Sequence, residues 1–207
     1  MTRETAAQVQ ALFVDSKRGP YPALLGADAC WDESRDAKGY AGPNPVTAHP
    51  PCGPWGRYAW KCKQDASTGP AAVASVRAWG GVLEHPTASK LWAHCGMPRP
   101  GELPDAWGGY TVEVAQRDFG HRADKETWLY VVGCAQADLP PLPPSQPKRE
   151  AWTPSRRVLD PKRLESARPR GTRGILECLS KGQRHLTPPA FAAWLVDVAQ
   201  RCKRGGR

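Results

Sequence analysis

Long apolar runs are what this chain most lacks. Nowhere do 18 apolar residues follow one another, so no segment is expected to cross a membrane as a helix. Residues 1–20 contain no apolar stretch long enough for a secretory signal, which points to the cytoplasm. Seven cysteines are an odd and scattered set, which argues for reduced thiols rather than a disulfide framework. No internal repeat is present. Metal-ligand spacing is also incomplete. His49, Cys52, Cys62, His94 and Cys95 are candidate zinc ligands, but His49-x-x-Cys52 has no second half-site to complete four. A zinc deaminase pairs His-x-Glu with Pro-Cys-x-x-Cys, and only Pro51-Cys52 is found here.

Proline (22), glycine (20), tryptophan (9) and positive charge are what the 207 residues have in plenty. The Pro and Gly content predicts long loops and many turns. Lys and Arg outnumber Asp and Glu by 29 to 20, a formal net charge of +9. A basic surface attracts polyanions, so nucleic acid is the first candidate partner, with a merely solvated basic surface as the plainer reading. The length suits one domain with a real core.

Short apolar runs alternate with helical stretches. Residues 11–15 (ALFVD), 44–52 (NPVTAHPPC), 82–86 (VLEHP), 110–120 and 127–134 read as strands, and 30–42 as a strand end with a short helix. Residues 69–81 read as a helix with Ala72, Val73, Val76 and Trp79 at helical spacing, stopped by Gly80-Gly81. Residues 187–202 read as an amphipathic helix with Thr187 as N-cap and Phe191, Trp194, Leu195 and Val198 on one face. A short helix is expected near 87–97, and a frayed end or short helix over 1–10. The expected fold is α/β, with a Rossmann-like, mostly parallel sheet flanked by helices. Residues 1–137 would form this domain, 138–174 a basic Pro-rich linker or arm, and 175–207 a helix packing back, with a mobile tail. The arm carries Lys148, Trp152, Lys162 and arginines from Arg149 to Arg173, suited to phosphates or simply to water. Three strands end in polar or rigid corners: Asp15, Pro50-Pro51-Cys52 and Glu84-His85-Pro86. Ligands of open α/β sheets bind outside the carboxyl ends of strands, so Asp15, Cys52 and Glu84 are expected to share one edge.

A thiol fixed on a Pro-Pro corner suits a positioned nucleophile, activated by Arg57 and by a helical stretch after it. The plainer alternative is a buried structural cysteine. The surrounding "HPPCGPWGR" resembles the Pro-Cys motif of the DNA cytosine-5 methyltransferases. "GGVLEHP" resembles that family's strand ending in Glu-Asn, with His85 in place of asparagine. "FGHRADKETWLYVVG" (119–133) is similar to its segment of a Gln and spaced arginines. The resemblance spans 11–133 and extends to "RHLTPPAFAAWL" near the C-terminus.

The resemblance implies that Cys52 adds to C6 of a pyrimidine and that Glu84 contacts N3 and the exocyclic amine of cytosine. Lys125 falls at the first spaced arginine and Thr127 at the second, for which Arg122 is the nearby substitute. The donor would be S-adenosylmethionine, held by Phe13, Asp15 and Asp32 or Glu33, although the family's Gly-x-Gly loop is missing after the first strand. Trp55, Arg57 and His85 are the expected substrate contacts. Of tryptophans 31, 55, 60, 79, 92 and 107, Trp55 is the best placed to stack on a base, whereas Trp79 reads as core. Only 134–185 is left for target recognition. The implied partner is DNA, with a pyrimidine nucleotide also open, and the small basic chain suits a phage or prophage enzyme. A donor other than S-adenosylmethionine, and a catalytically silent nucleic-acid-binding protein of the same fold, stay open as alternatives.

Overall fold

Six apolar runs pair into one sheet in the computed structural model, which describes residues 8–148, 151–152 and 177–203. In chain order they and their connections are β1 (Gln10–Leu12), α1 (Tyr21–Leu25), β2 (Cys30–Trp31), β3 (Val46–Ala48), α2 (Thr68–Trp79), β4 (Gly81–Pro86), α3 (Lys90–Cys95), β5 (Tyr110–Ala115) and β6 (Glu126–Val132). The spatial order is β2-β1-β3-β4-β6-β5. The first four strands are parallel, and β6 runs antiparallel to both β4 and β5. The sheet is therefore mostly, not purely, parallel. The reason lies between β5 and β6, where a single 3-10 turn (Gln116–Phe119) leaves no room for the crossover that parallel pairing needs.

Alternation along the strands divides the interior into two layers of packing. Ala11, Val82, Leu129 and Val131 face one side, with Phe191, Leu195 and Val198. Leu12, Leu83, Tyr130 and Val132 face the other, with Val73 and Val76 of α2 and Leu91 and Trp92 of α3. Between α2 and β4 the chain turns at Gly80 and Gly81, both at positive φ (77° and 127°). A side chain on Gly81 would run into the backbone of Val46, its partner on β3. Glycine here lets the parallel pair β3–β4 close.

The chain continues through a two-residue parallel pair, β7 (Ala151–Trp152) with β8 (Glu177–Cys178), then α4 (Lys181–His185) and α5 (Pro189–Arg201). The apolar face of α5 lies where its spacing predicts, with Phe191, Trp194, Leu195 and Val198 all buried. Its start differs from expectation. The N-cap is Pro188, not Thr187, and no side chain caps the first turn, because proline carries no side-chain acceptor for the N–H groups of Ala190 and Phe191. The beginning of the Pro-rich segment is docked on the body. Trp194 Nε1 donates to the Pro141 carbonyl at 3.1 Å, and the Gln146 N–H donates to Asp118 at 2.7 Å. The basic run from Arg149 to Arg173 lies, apart from residues 151–152, outside the described residues. So do residues 1–7 and the tail after Lys203. Among the described residues no helix is long and apolar enough to cross a membrane.

Candidate functional site

β1 lies between β2 and β3, so the chain leaves β1 first to one side of the sheet and later to the other. At such a switch point the loops separate and open a crevice beyond the strand ends. Since β1, β3 and β4 are parallel, the residues that follow Leu12 and Ala48 and those at the end of β4 share one rim. β5 is parallel to β4 across β6, so its carboxyl end reaches the same rim.

Cys52 stands on that rim. Pro50 and Pro51 end β3, and Cys52 begins one 3-10 turn, Gly53–Trp55. The thiol is half-buried, neither sealed in the interior nor freely exposed. His85 supports the corner from below. It is 1% exposed, next to Trp92 (ring centroids 6.3 Å apart), and close to the carbonyls of Pro51 and Pro50. Neither of its ring nitrogens makes a hydrogen bond of ordinary geometry. Its pKa is lowered to about 4, by burial first, against the opposing pull of Glu84 and the two proline carbonyls. His85 thus props the Cys52 turn and is no substrate contact, because strand alternation turns it inward.

Glu84, one residue earlier, points the other way and is held at both oxygens. Oε2 faces His49 Nδ1 at 3.1 Å, and Oε1 accepts from Gln116 Nε2 at 2.9 Å. His49 Nε2 faces the hydroxyl of Tyr21 at 2.5 Å, so the row runs Tyr21–His49–Glu84–Gln116. Gln116 also donates to Thr127 Oγ1 at 3.0 Å, while its own buried Oε1 has no partner in the protein. Burial would raise the Glu84 carboxyl, but the His49 hydrogen bond and the charges of His49, Lys125 and His85 hold it at about 2. It is an anion at neutral pH, and the His49 Nδ1 that faces it is the donor side of the pair.

Cys52 belongs to the same electrostatic group. Its thiol is pushed up by burial and then by the Glu84 charge, with Lys125 pulling the other way. The activation expected from the sequence is therefore not in place. The turn after Cys52 is too short for a helix dipole, and the cation that acts on the sulfur is Lys125, not Arg57. Arg57 is exposed, with its guanidinium 5.7 Å from the Tyr58 ring. Lys125, at φ 38°, also reaches the Leu186 carbonyl at 3.4 Å. Thr127, at the second arginine position, is buried and orients Gln116. Arg122 does not substitute for it. His121 turns inward onto Ala123, so Arg122 turns outward and lines a separate, mostly apolar cleft of about 870 Å³ between α1 and the start of α5.

Trp55 is also placed differently. It is 9% exposed, its ring lies 4.8 Å from that of His94, and it fills the space left by Gly69 on α2. It is core and offers no face to a base. His49 and His94 are thus both engaged, and among the described residues no group of three or more His, Cys, Asp or Glu is arranged to hold a metal ion.

A second feature opens beside the corner, a cleft of about 800 Å³ lined by Phe13, Val14, Asp32, Glu33, Lys38, Pro51 and Lys63, among others. Phe13 enters it at φ 60°, a left-handed conformation unusual for a bulky residue. β1 has already ended at Leu12, and Asp15 lies beyond it, exposed, accepting from the N–H groups of Lys17 and Arg18. Asp15 therefore shapes its own loop and does not line the cleft. Asp32 lines it, but its carboxylate accepts from Ser16 Oγ (2.5 Å) and Ser34 Oγ (2.6 Å), which holds its pKa far below the usual range. Glu33 is an exposed acid of the cleft wall, as are Asp36 and Asp65.

His49, Tyr21 and Gln116 were not foreseen as partners of Glu84. Position alone marks two of them, since His49 and Gln116 each directly follow a strand that ends at this rim. No protein-family model, curated protein or solved structure matches the chain.

Proposed function

We propose that the protein modifies C5 of a pyrimidine, in the first place cytosine in DNA, through a covalent adduct between Cys52 and C6. One observation carries this reading: Cys52 and an ionised Glu84 stand on one rim of the sheet, near enough for the Glu84 charge to act on the thiol. In the reaction Cys52 loses its proton to water and the thiolate adds to C6. The C5–C6 electron pair then moves onto C5. C5 takes an electrophilic one-carbon group from a donor, whose leaving group departs with the bonding pair. Loss of the C5 proton to water returns a pair to the ring and expels the sulfur. Because the free thiol is raised, its deprotonation is a real part of the barrier, and Lys125 is the cation that lowers it.

Glu84, as an anion, accepts from the exocyclic amine. The proton on His49 Nδ1 lies behind the same carboxylate, a source for N3 as charge develops there. Gln116, fully buried, holds the Glu84 carboxylate in place through its Nε2 and does not itself meet the base. A base must leave its stack to present C6 to a half-buried sulfur.

S-adenosylmethionine would supply an electrophilic methyl group. The cleft beside Phe13 and Glu33 fits a nucleoside in size and position at the switch point. The loop after β1 lacks the glycine cradle, and the Asp32 carboxylate is already taken. These two facts favour, as the second reading, the same adduct chemistry with another donor.

The test is to incubate the protein with DNA carrying 5-fluorocytosine and a donor, and to look for a denaturant-stable adduct by mass spectrometry. Fluorine at C5 cannot leave as a proton does, so the wild type should stay attached and Cys52→Ala should not. DNA binding without an adduct under any donor would leave a catalytically silent nucleic-acid-binding protein.

A further inference from the structure

The loop that follows Cys52 carries two aromatic side chains left in water. Trp60 is 77% exposed and Tyr58 64%, although buried places were available to other tryptophans of this chain. Two large exposed rings two positions apart on one loop are costly to keep unless they meet a partner. Cations accompany them. Lys61 Nζ stands 4.4 Å from the Trp60 ring centroid and the Arg57 guanidinium 5.7 Å from that of Tyr58. Lys63 follows, and no acidic residue occurs from Cys52 to Gln64.

The loop is tied to the nucleophile. A side chain on Gly53 would run into Cys62 Sγ and Gln64, so the returning leg of the loop lies against the Cys52 turn. Cys62 bonds Gln64 at 3.5 Å, and short 3-10 turns at Gly53–Trp55 and Ala59–Lys61 stiffen both legs. The tip is thus held as a firm projection beside Cys52.

We infer that residues 57–63 form a docking surface for a single-stranded polynucleotide, with Trp60 and Tyr58 stacking on unpaired bases and Arg57, Lys61 and Lys63 meeting phosphates. Charge selects the occupant. A protein or lipid tail would also cover the rings, but only a chain that alternates flat π faces with regularly spaced anions satisfies both the rings and the three cations. The inference deepens the proposed function, because it assigns the substrate as a strand and not a free nucleotide, and places the bases next to the target on this loop.

The experiment measures binding of fluorescein-labelled single-stranded DNA by anisotropy, in a Cys52→Ala background that separates binding from chemistry. Trp60→Ala should weaken binding about tenfold or more. Trp60→Phe should recover most of it, and circular dichroism should be unchanged because the ring is exposed. Lys61→Ala with Lys63→Ala should make the salt dependence shallower by about 1.4, at about 0.7 for each phosphate that is no longer neutralised. A parallel RNA strand reports which sugar is preferred. Unchanged affinity in folded Trp60→Ala, or equal competition by free deoxycytidine monophosphate, overturns the inference. Trapping by 5-fluorocytosine with binding indifferent to Trp60 would sink this inference alone. Trp60-dependent binding without any trapping would sink the C5 chemistry alone.

Discussion

His85 stands where the resemblance places an asparagine, and its burial has a consequence that pH reveals. Its pKa is about 4 in the folded protein against 6.5 when exposed. Between these values the unfolded chain binds the proton and the folded one does not, so stability falls as pH drops from about 6.5 to about 4. The loss is on the order of 3 kcal/mol, at 1.36 kcal/mol per unit. Glu84 shifts the other way relative to its charge: its carboxyl sits at about 2 against 4.5. The stability it lends is full above about 4.5 and is lost as pH falls towards 2. Urea unfolding followed from pH 7 to pH 4 should therefore show a decline in the wild type that His85→Asn removes. Equal slopes in the two proteins would mean that the imidazole is not held neutral. The same residue scale explains why Trp55 and Trp60 exchange roles. Nothing in either tryptophan's immediate sequence says which is inside. The deciding partner of Trp55 is Gly69, whose missing side chain leaves room for the indole.

Elements with a strong period were legible, and those fixed by distant partners were not. α2 and α5 follow from their apolar spacing, and β4 follows from an apolar run cut by Pro86. The short connection explains the antiparallel pairing of β5 and β6, but the insertion of β6 between β4 and β5 is a matter of long-range pairing that no local pattern carries. β1 proved shorter than its apolar run because Phe13 leaves the strand in a left-handed turn, for which a phenylalanine gives no warning. His49 was conspicuous for its spacing to Cys52, which suggested a metal, whereas its partner Glu84 lies 35 positions away. Cys52 and Glu84 were readable because both sit at strand ends, where side chains gather whatever the fold's details. α5 offers the cleanest test at this scale. Phe191 is fully buried against Phe119, ring centroids 4.9 Å apart. Phe191→Ala should cost about 3–5 kcal/mol in urea unfolding. Asp197→Ala, which removes only an exposed pair with Arg201 on the same helix, should change stability by less than about 0.5 kcal/mol. Similar effects of the two would mean that the helix is not part of the sheet's core.

At the scale of the whole molecule, the rim divides its labour between two neighbouring places that meet at the Pro50-Pro51 corner. One holds the sulfur with Glu84 and its partners, and the other is the cleft of about 800 Å³ that Pro51 also lines. The proposed group transfer would need both, since a base would have to meet its donor across that corner. The cleft can be tested without the reaction. A ligand that binds only the folded state stabilises it by about 2.7 kcal/mol at one hundred times its dissociation constant. For a chain of this size, that raises the melting temperature by roughly 5–10 °C. S-adenosylmethionine should give a shift of this kind if it occupies the cleft, and Glu33→Ala should reduce it without changing the melting temperature of the free protein, because Glu33 is exposed. Adenosine should give a smaller shift, since it fills only the nucleoside part. A shift that survives both Glu33→Ala and Asp36→Ala would place the ligand elsewhere. No shift from either compound, with trapping by 5-fluorocytosine still seen under a different one-carbon donor, would assign the chemistry to that donor and leave Cys52 and Glu84 in their roles.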